Sequence, residues 1–218
     1  MQVKLLYHTP NPERAIACSA RLCYSDKGAG ELAETMSDEK VHTLIVKLIS
    51  AGHLSAFEHA SYTFAIDGVS RALTHQLVRH RIASFNQQSQ RYVKIAGGLD
   101  VVKPETVGAN ANTNAIFDEC IETCREAYEK LLVAGVPAED ARYVLPNATQ
   151  TKIVVTMNAR ELLHFFSLRC CKRAQWEIRG LACKMLELAK ESAPTIFENA
   201  GAGCVRGACP EGANSCKK

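Results

Sequence analysis

Residues 152–169 read KIVVTMNARELLHFFSLR, and the joint inside them bears directly on the class of fold. KIVVTM is a short, β-branched apolar run of the kind a buried strand uses. Asn158 follows at once, with Glu161 three residues later, which is a helix-start signal in front of ARELLHFFSLR. Strand and helix thus meet within one short segment. Downstream, QWEIRGLACKMLELAKES reads as the last long helix and ends before Pro194.

Upstream the mixture continues. QVKLLY (2–7) reads as a strand, and NPERAIACSARLCY as a helix opened by Asn11 with Pro12 at its first position. Val41, Leu44, Ile45, Leu48 and Ile49 keep the helical period from about Ser37 to Ala51; Gly52 stops that helix and His53 follows directly. ASYTFAID (60–67) alternates Tyr62, Phe64 and Ile66 on one face, as a half-buried strand should. GVSRALTHQLV (68–78) reads as helical. The clearest helix spans 112–134, with a stripe running from Ile116 and Phe117 to Leu131 and Leu132, and DARYVLP is a short helix ended by Pro146. There is no internal repeat, linker or strict βαβ alternation. The expectation is an α+β fold, a mixed or antiparallel sheet flanked by helices, in one domain over 1–200 with a Gly/Cys-rich tail over 201–218.

Composition narrows the class. At 218 residues, 47% apolar and 22% charged, the chain has the make-up of a globular protein. No apolar run approaches the ~20 residues of a membrane span. MQVKLLYHTPNPER lacks the parts of a secretory signal, so a cytoplasmic location is expected. A net charge of +3 is too small to imply a nucleic-acid partner. The ten cysteines are then expected to be reduced. Cys18, Cys23, Cys120, Cys124 and Cys183 sit in helical segments and read as small core residues. Cys204, Cys209 and Cys216 fall at gaps of four and six in the tail, not at common zinc spacing, so no metal site is expected and the tail should be disordered or docked on a partner.

The most polar stretch is VRHRIASFNQQSQRY (78–92), which concentrates Arg79, His80, Arg81 and Arg91 among amides and hydroxyls, without Gly, Pro or Asp. If 86–91 is extended, Gln87, Ser89 and Arg91 share one face, a set suited to a phosphorylated, hydrogen-bonding ligand. Arg79-His80-Arg81 is a second anion site nearby. Two other readings stay open on residue types alone. One is a solvated basic loop; the other is a nucleic-acid module in which Phe85 and Tyr92 stack on bases, against which stand the low charge and 6% aromatic content.

Arg-His-Arg, seven residues, then Ser (79–81 and 89) resembles the signature of flavin-dependent thymidylate synthases. GHLSAFEHASYTF (52–64), ARYVLP (141–146) and MNARELLHFFSLRCCKRAQWEIR (157–179) are similar to the same family, in order and at similar separations. The resemblance covers roughly 1–200. It implies an enzyme that makes dTMP from dUMP, with methylenetetrahydrofolate as carbon donor, FAD as hydride carrier and NADPH as reductant. It also implies a homotetramer with sites shared between subunits. A flavin-binding protein that has lost synthase activity is the alternative within the family.

By position, the resemblance implies FAD-binding roles for Ser55, Arg79, His80, Arg81, Gln87, Asn158, Arg160 and His164. It implies dUMP-binding roles for Gln76, Arg79, Gln87, Ser89, Arg91, Arg142 and Arg169, and places His53 in the flavin and folate region. Gln87 stands where some relatives have Glu, and His164 where some have Asn. Arg160 and His164 are i, i+4 on one helix face and Arg169 is about 180° away, so Arg169 is expected to face a separate ligand. Arg169 is the expected catalytic residue, a fixed cation against the uracil ring. Ser89 is expected to bind and orient. Cys170 and Cys171, beside Arg169, Lys172 and Arg173, would be the nucleophiles of a thiolate mechanism and are expected to be dispensable.

Overall fold

The computed structural model describes residues 1–95 and 97–216, and its elements follow one another as strands and helices without regular alternation. β1 (Gln2–His8), β2 (Ser61–Ser70), β3 (Ala83–Gln87) and β4 (Gln150–Asn158) form an antiparallel sheet of order β1-β2-β4-β3. The helices are α1 (Pro12–Leu22), α2 (Ala29–Thr35), α3 (Asp38–Ser50), α4 (Arg71–Leu77), α5 (Glu105–Gly108), α6 (Ala111–Val133), α7 (Ala138–Ala141), α8 (Ala159–Arg169), α9 (Trp176–Ser192) and α10 (Pro194–Phe197). The α+β expectation holds.

The chain divides into two compact units that are interleaved in sequence. One comprises Gln2–Ile66, Val78–Phe85 and the chain from Val154 onward; the other comprises Met1, Asp67–Leu77 and Asn86–Ile153. Because β2, β3 and β4 each contribute residues to both, no linker marks the division in the sequence.

In the first unit the local signals act as their chemistry requires. Asn11 takes a left-handed φ of 46° ahead of α1, a conformation asparagine tolerates better than most residues. Ser37 caps α3, its Oγ accepting from Lys40 N–H, and Gly52 ends that turn at φ 71°. Asn158 caps α8 through Oδ1, which accepts from Glu161 N–H at 2.9 Å. Ala159 N–H donates to the Ala60 carbonyl at 2.7 Å, tying the start of α8 to the residue before β2. Tyr62, Phe64, Val155, Leu162, Phe165, Phe166, Leu181, Met185 and Phe197 are fully buried in this unit's core. Each such side chain contributes about 1.5–3 kcal/mol by leaving water. Phe166 meets Phe165 at 5.8 Å and Phe197 edge-on at 6.0 Å.

The second unit departs further from the sequence reading. GVS of GVSRALTHQLV closes β2, and the helix α4 starts only at Arg71. DARYVLP divides into the end of α7 and a 3₁₀ turn over Arg142–Val144. α6 has the expected length, but only Tyr128 of its stripe is buried and Ile116 is 60% exposed. The cysteines also differ from expectation. Cys18 alone is core; Cys23, Cys120 and Cys183 are exposed, and Cys124 is half-buried. Helical periodicity picks out a face, but whether that face is covered depends on what packs against it.

The tail, expected to lack a fold of its own, forms 3₁₀ turns at Gly203–Val205 and Gly212–Asn214; its last residues, Lys217 and Lys218, lie outside the described part. A Cβ on Gly203 would sit 2.9 Å from the Pro210 ring and 3.9 Å from the Ser167 carbonyl, so glycine lets the tail double back beside α8. Arg173 holds its far end, pairing with Glu211 at 3.3 Å and donating to the Asn214 carbonyl.

Candidate active site

Beside α8 the first unit opens a cleft of about 870 Å³, within the size range of cofactor sites. Its walls come from four separated stretches, the last being the tail, which supplies Arg206. Residues 79–82 supply Arg79, His80, Arg81 and Ile82; α8 and its cap supply Asn158, Arg160, His164 and Arg169 among others; Leu54 and Glu58 come from the segment after α3. Six of the eight residues with an expected flavin role therefore meet at one cleft. Ser55 lies between the lining residues Leu54 and Glu58, exposed at the first position of a 3₁₀ turn, and His53 is exposed two residues before it. Gln87, the eighth, belongs to the other unit.

The cleft's charge is unbalanced. Five guanidiniums line it, those of Arg79, Arg81, Arg160, Arg169 and Arg206, against the carboxylates of Glu58 and Glu161. Both carboxylates are engaged, Glu58 with Arg160 at 2.5 Å and Glu161 with His80 at 2.9 Å. A cleft with surplus fixed cations suits a polyanionic ligand, and the pyrophosphate of a dinucleotide matches that donor set.

His80 is the most constrained member. It is 5% exposed and Glu161 is 6% exposed. Its Nδ1 faces Glu161 Oε1 at 2.9 Å, and its Nε2 accepts from Arg169 Nε at 3.1 Å. Burial pushes the imidazole pKa below its ordinary value; the Glu161 hydrogen bond opposes this and the Arg169 charge reinforces it. Burial likewise lowers Arg169, whose guanidinium starts so high that it stays charged.

Arg169, expected to face a separate ligand, also borders the cleft that Arg160 and His164 line. It does lie on another stripe of α8, yet that stripe, Glu161, Phe165 and Arg169 at i, i+4 and i+8, is the one against which His80 packs, with its ring 4.9 Å from Phe165. The His80 imidazole therefore links Arg169 to the cleft lined by Arg160 and His164.

The remaining nucleotide candidates, Gln76, Gln87, Ser89, Arg91 and Arg142, lie in the other unit. Gln87 donates from Nε2 to Thr74 Oγ1 at 3.0 Å and Thr151 Oγ1 at 3.3 Å. The extended run ends at Gln88, whose N–H meets the Lys152 carbonyl; Ser89 then starts a turn, Oγ accepting from Arg91 N–H at 3.1 Å. Arg91 pairs with Glu139 at 2.8 Å on the surface, an exposed contact that a phosphate can displace. Gln76 and Arg142 bond within their own helical turns. Arg71, absent from the sequence reading, has its pKa lowered by burial and by the charge of Arg142, and its buried Nε has no hydrogen-bond partner among the described residues.

The profile of the family described as "Thymidylate synthase complementing protein" matches residues 4–195. A flavin-dependent thymidylate synthase of Geobacter sulfurreducens is 57% identical, covering all of this chain and 94% of the relative; that of Clostridium tetani is 51% identical with the same coverage. The chain belongs to the flavin-dependent thymidylate synthase family. Among solved structures, the crystal structure of a UMP/dUMP methylase, PolB, from Streptomyces cacaoi bound with 5-Br dUMP is similar at a TM-score of 0.81. It is 27% identical, with 90% of this chain and 93% of that one covered. Against this family background Glu161, Arg71 and Arg206 are the residues that sequence reasoning passed over. Arg206 comes from the tail, beyond the matched region, and reaches the cleft only because the tail turns back beside α8.

Proposed function

We propose that this chain is a flavin-dependent thymidylate synthase that converts dUMP and methylenetetrahydrofolate into dTMP and tetrahydrofolate, with NADPH as reductant. The observation that carries this reading is the gathering of Arg79, His80, Arg81, Asn158, Arg160, His164 and Arg169 around one cation-rich cleft in a chain so close to the named relatives. FAD, when bound and reduced by NADPH, supplies the hydride that completes the methyl group. Arg79 and Arg81 have no partner among the described residues, and they hold its pyrophosphate; Asn158, Arg160, His164 and Ser55 line the rest of the cofactor, and His53 borders the folate.

The protein's part in the chemistry is binding and electrostatics. Arg169 sits against the pyrimidine N3 and O2 edge and stabilises the negative charge that the ring takes up when its C6 accepts hydride. Gln76, Gln87, Ser89, Arg91 and Arg142 orient the nucleotide and hold its phosphate. No protein thiolate is needed. Burial, with the neighbouring Cys183, pushes the Cys170 thiol up to about 12, opposite to the shift that activates a nucleophile.

The half-covered apolar stripe of α6 supports a homotetramer, since a second copy would cover Ile116 and its neighbours. No helix among the described residues is long and apolar enough to cross a membrane, and a cytoplasmic site of action is consistent with its substrates. Arg206 adds a tail-borne cation to the cleft. The deciding experiment is anaerobic: the purified protein should be yellow or take up FAD, bleach with NADPH, and release dTMP only when dUMP and methylenetetrahydrofolate are both present. A colourless protein unmoved by FAD overturns the reading, and a flavoprotein that yields no dTMP has the cofactor site alone.

A further inference from the structure

We propose that Glu161 and His80 are positioning residues that aim the Arg169 guanidinium, through the chain Glu161 carboxylate, His80 imidazole, Arg169 Nε. This rests on the reading of Arg169 as the group that polarises the pyrimidine. Arginine carries only donors, so the 3.1 Å contact from its Nε requires a lone pair on His80 Nε2. The ring is then neutral with its proton on Nδ1, where Glu161 Oε1 accepts it at 2.9 Å. Acceptor, donor, acceptor and donor alternate without a mismatch, so each end of the chain dictates the tautomer that the other needs.

The helix explains why this arrangement is stiff. Glu161, Phe165 and Arg169 follow one another up a single stripe of α8, and the imidazole lies along it, its ring edge-on to Phe165 at 80°. With both Glu161 and His80 almost wholly buried, water cannot substitute for either bond. Tying Nε sets the plane of the guanidinium, which decides whether its remaining N–H groups can meet a flat ring in register. Burial favours the neutral imidazole that the arrangement uses. The charged and titratable groups around His80 are Glu161, Arg169 and His164, all on α8, with Arg79 and Arg81 beside it in its own segment.

Two variants separate aiming from folding. Glu161→Leu leaves Nδ1–H without an acceptor, so the proton can move to Nε2 and oppose Arg169. Glu161→Gln keeps the volume and an acceptor oxygen. The full-length FAD-loaded enzyme is expected to lose about 10- to 100-fold in kcat in Glu161→Leu, with FAD occupancy and KM for NADPH within about twofold, and to recover to within a few-fold in Glu161→Gln. With ¹⁵N-histidine labelling, and His80 identified by the signal lost in His80→Gln, the wild-type ring should show a protonated Nδ1 and a bare Nε2. Glu161→Leu should lose that pattern. The acid limb of kcat in Glu161→Gln should move to lower pH, because the carboxylate that favoured imidazolium is gone. A wild-type His80 protonated on Nε2, or a Glu161→Leu enzyme with wild-type kcat and tautomer, overturns the proposal. If Arg169→Ala is itself fully active, the synthase reading of Arg169 fails instead, whatever the tautomer.

Discussion

Arg169→Ala removes two things at once, and they register in different measurements. The developing charge on the pyrimidine loses a charge-assisted donor, about 2–4 kcal/mol in the transition state or roughly 30- to 1000-fold in rate. The His80 Nε2 acceptor, in a ring that is 5% exposed, loses its donor at 3.1 Å. Leaving a buried acceptor unpaired costs about 1–3 kcal/mol, and this falls on stability and not on turnover. The assay is dTMP formation per FAD-loaded active site at saturating NADPH and folate, with a urea titration beside it. FAD affinity should stay within a few-fold, since Arg79, Arg81 and Arg160 still line the cleft. Arg169→Lys keeps a charge but lacks the flat fork, and should recover less than about a tenth of the rate. An Arg169→Ala enzyme with kcat/KM for dUMP within threefold of wild type would refute the reasoning, and urea midpoints unchanged from wild type would refute the assigned His80 bond.

Cys170→Ser should turn over at the wild-type rate per bound flavin, because burial pushes the Cys170 thiol up, away from the thiolate a nucleophile needs; a folded, FAD-loaded variant that binds dUMP but makes no dTMP would restore a thiolate mechanism. Arg206→Glu should weaken FAD binding several-fold at low salt, and the difference should shrink as salt rises, as fluorescence titration can show; equal affinities at low salt would remove the tail from the cleft's electrostatics. Ile116→Asp should reduce the assembled mass in light scattering without lowering the far-ultraviolet helix signal, whereas an unchanged mass would leave the α6 stripe outside the interface. Because the folded pKa of His80 lies below 6.5, the unfolded chain binds the extra proton first, so its contribution to stability is complete above about pH 6.5 and is lost as pH falls through the folded value. Urea midpoints should therefore decline more steeply on acidification in wild type than in His80→Gln, and parallel curves would contradict the assignment.

The sequence by itself determined the parts whose chemistry is local. Asn158 with Glu161 marks the start of α8 because a cap needs only a side-chain oxygen three residues from an unpaired N–H. Gly52 and Pro12 end and begin helices through their own dihedral limits. The alternation of Tyr62, Phe64 and Ile66 names the buried face of β2 because a strand's period is two. α2 left a weaker trace, since over Ala29–Thr35 Leu32 is the one large apolar residue and the one buried, and a single such residue sets no period. The family motifs were also legible, and they selected seven residues that line one cleft.

What the tertiary structure decided are the relations between residues distant in sequence. A helical wheel puts Arg169 opposite Arg160, which is right about direction but says nothing of His80, 89 residues earlier, to which Arg169 is bonded. Glu161 looked like a capping carboxylate; only burial beside an imidazole makes it a partner in positioning. Periodicity marked the stripe of α6 and the helical cysteines as core, but coverage depends on neighbours that periodicity cannot name, and the α6 stripe is left half-covered. Arg206 belongs to the same class, because a cation in a Gly-rich tail becomes part of a cleft only when Gly203 lets the chain fold back beside α8. Dihedral limits and period are properties of neighbours along the chain, whereas burial, tautomer and charge balance belong to whatever the fold brings within a few ångströms.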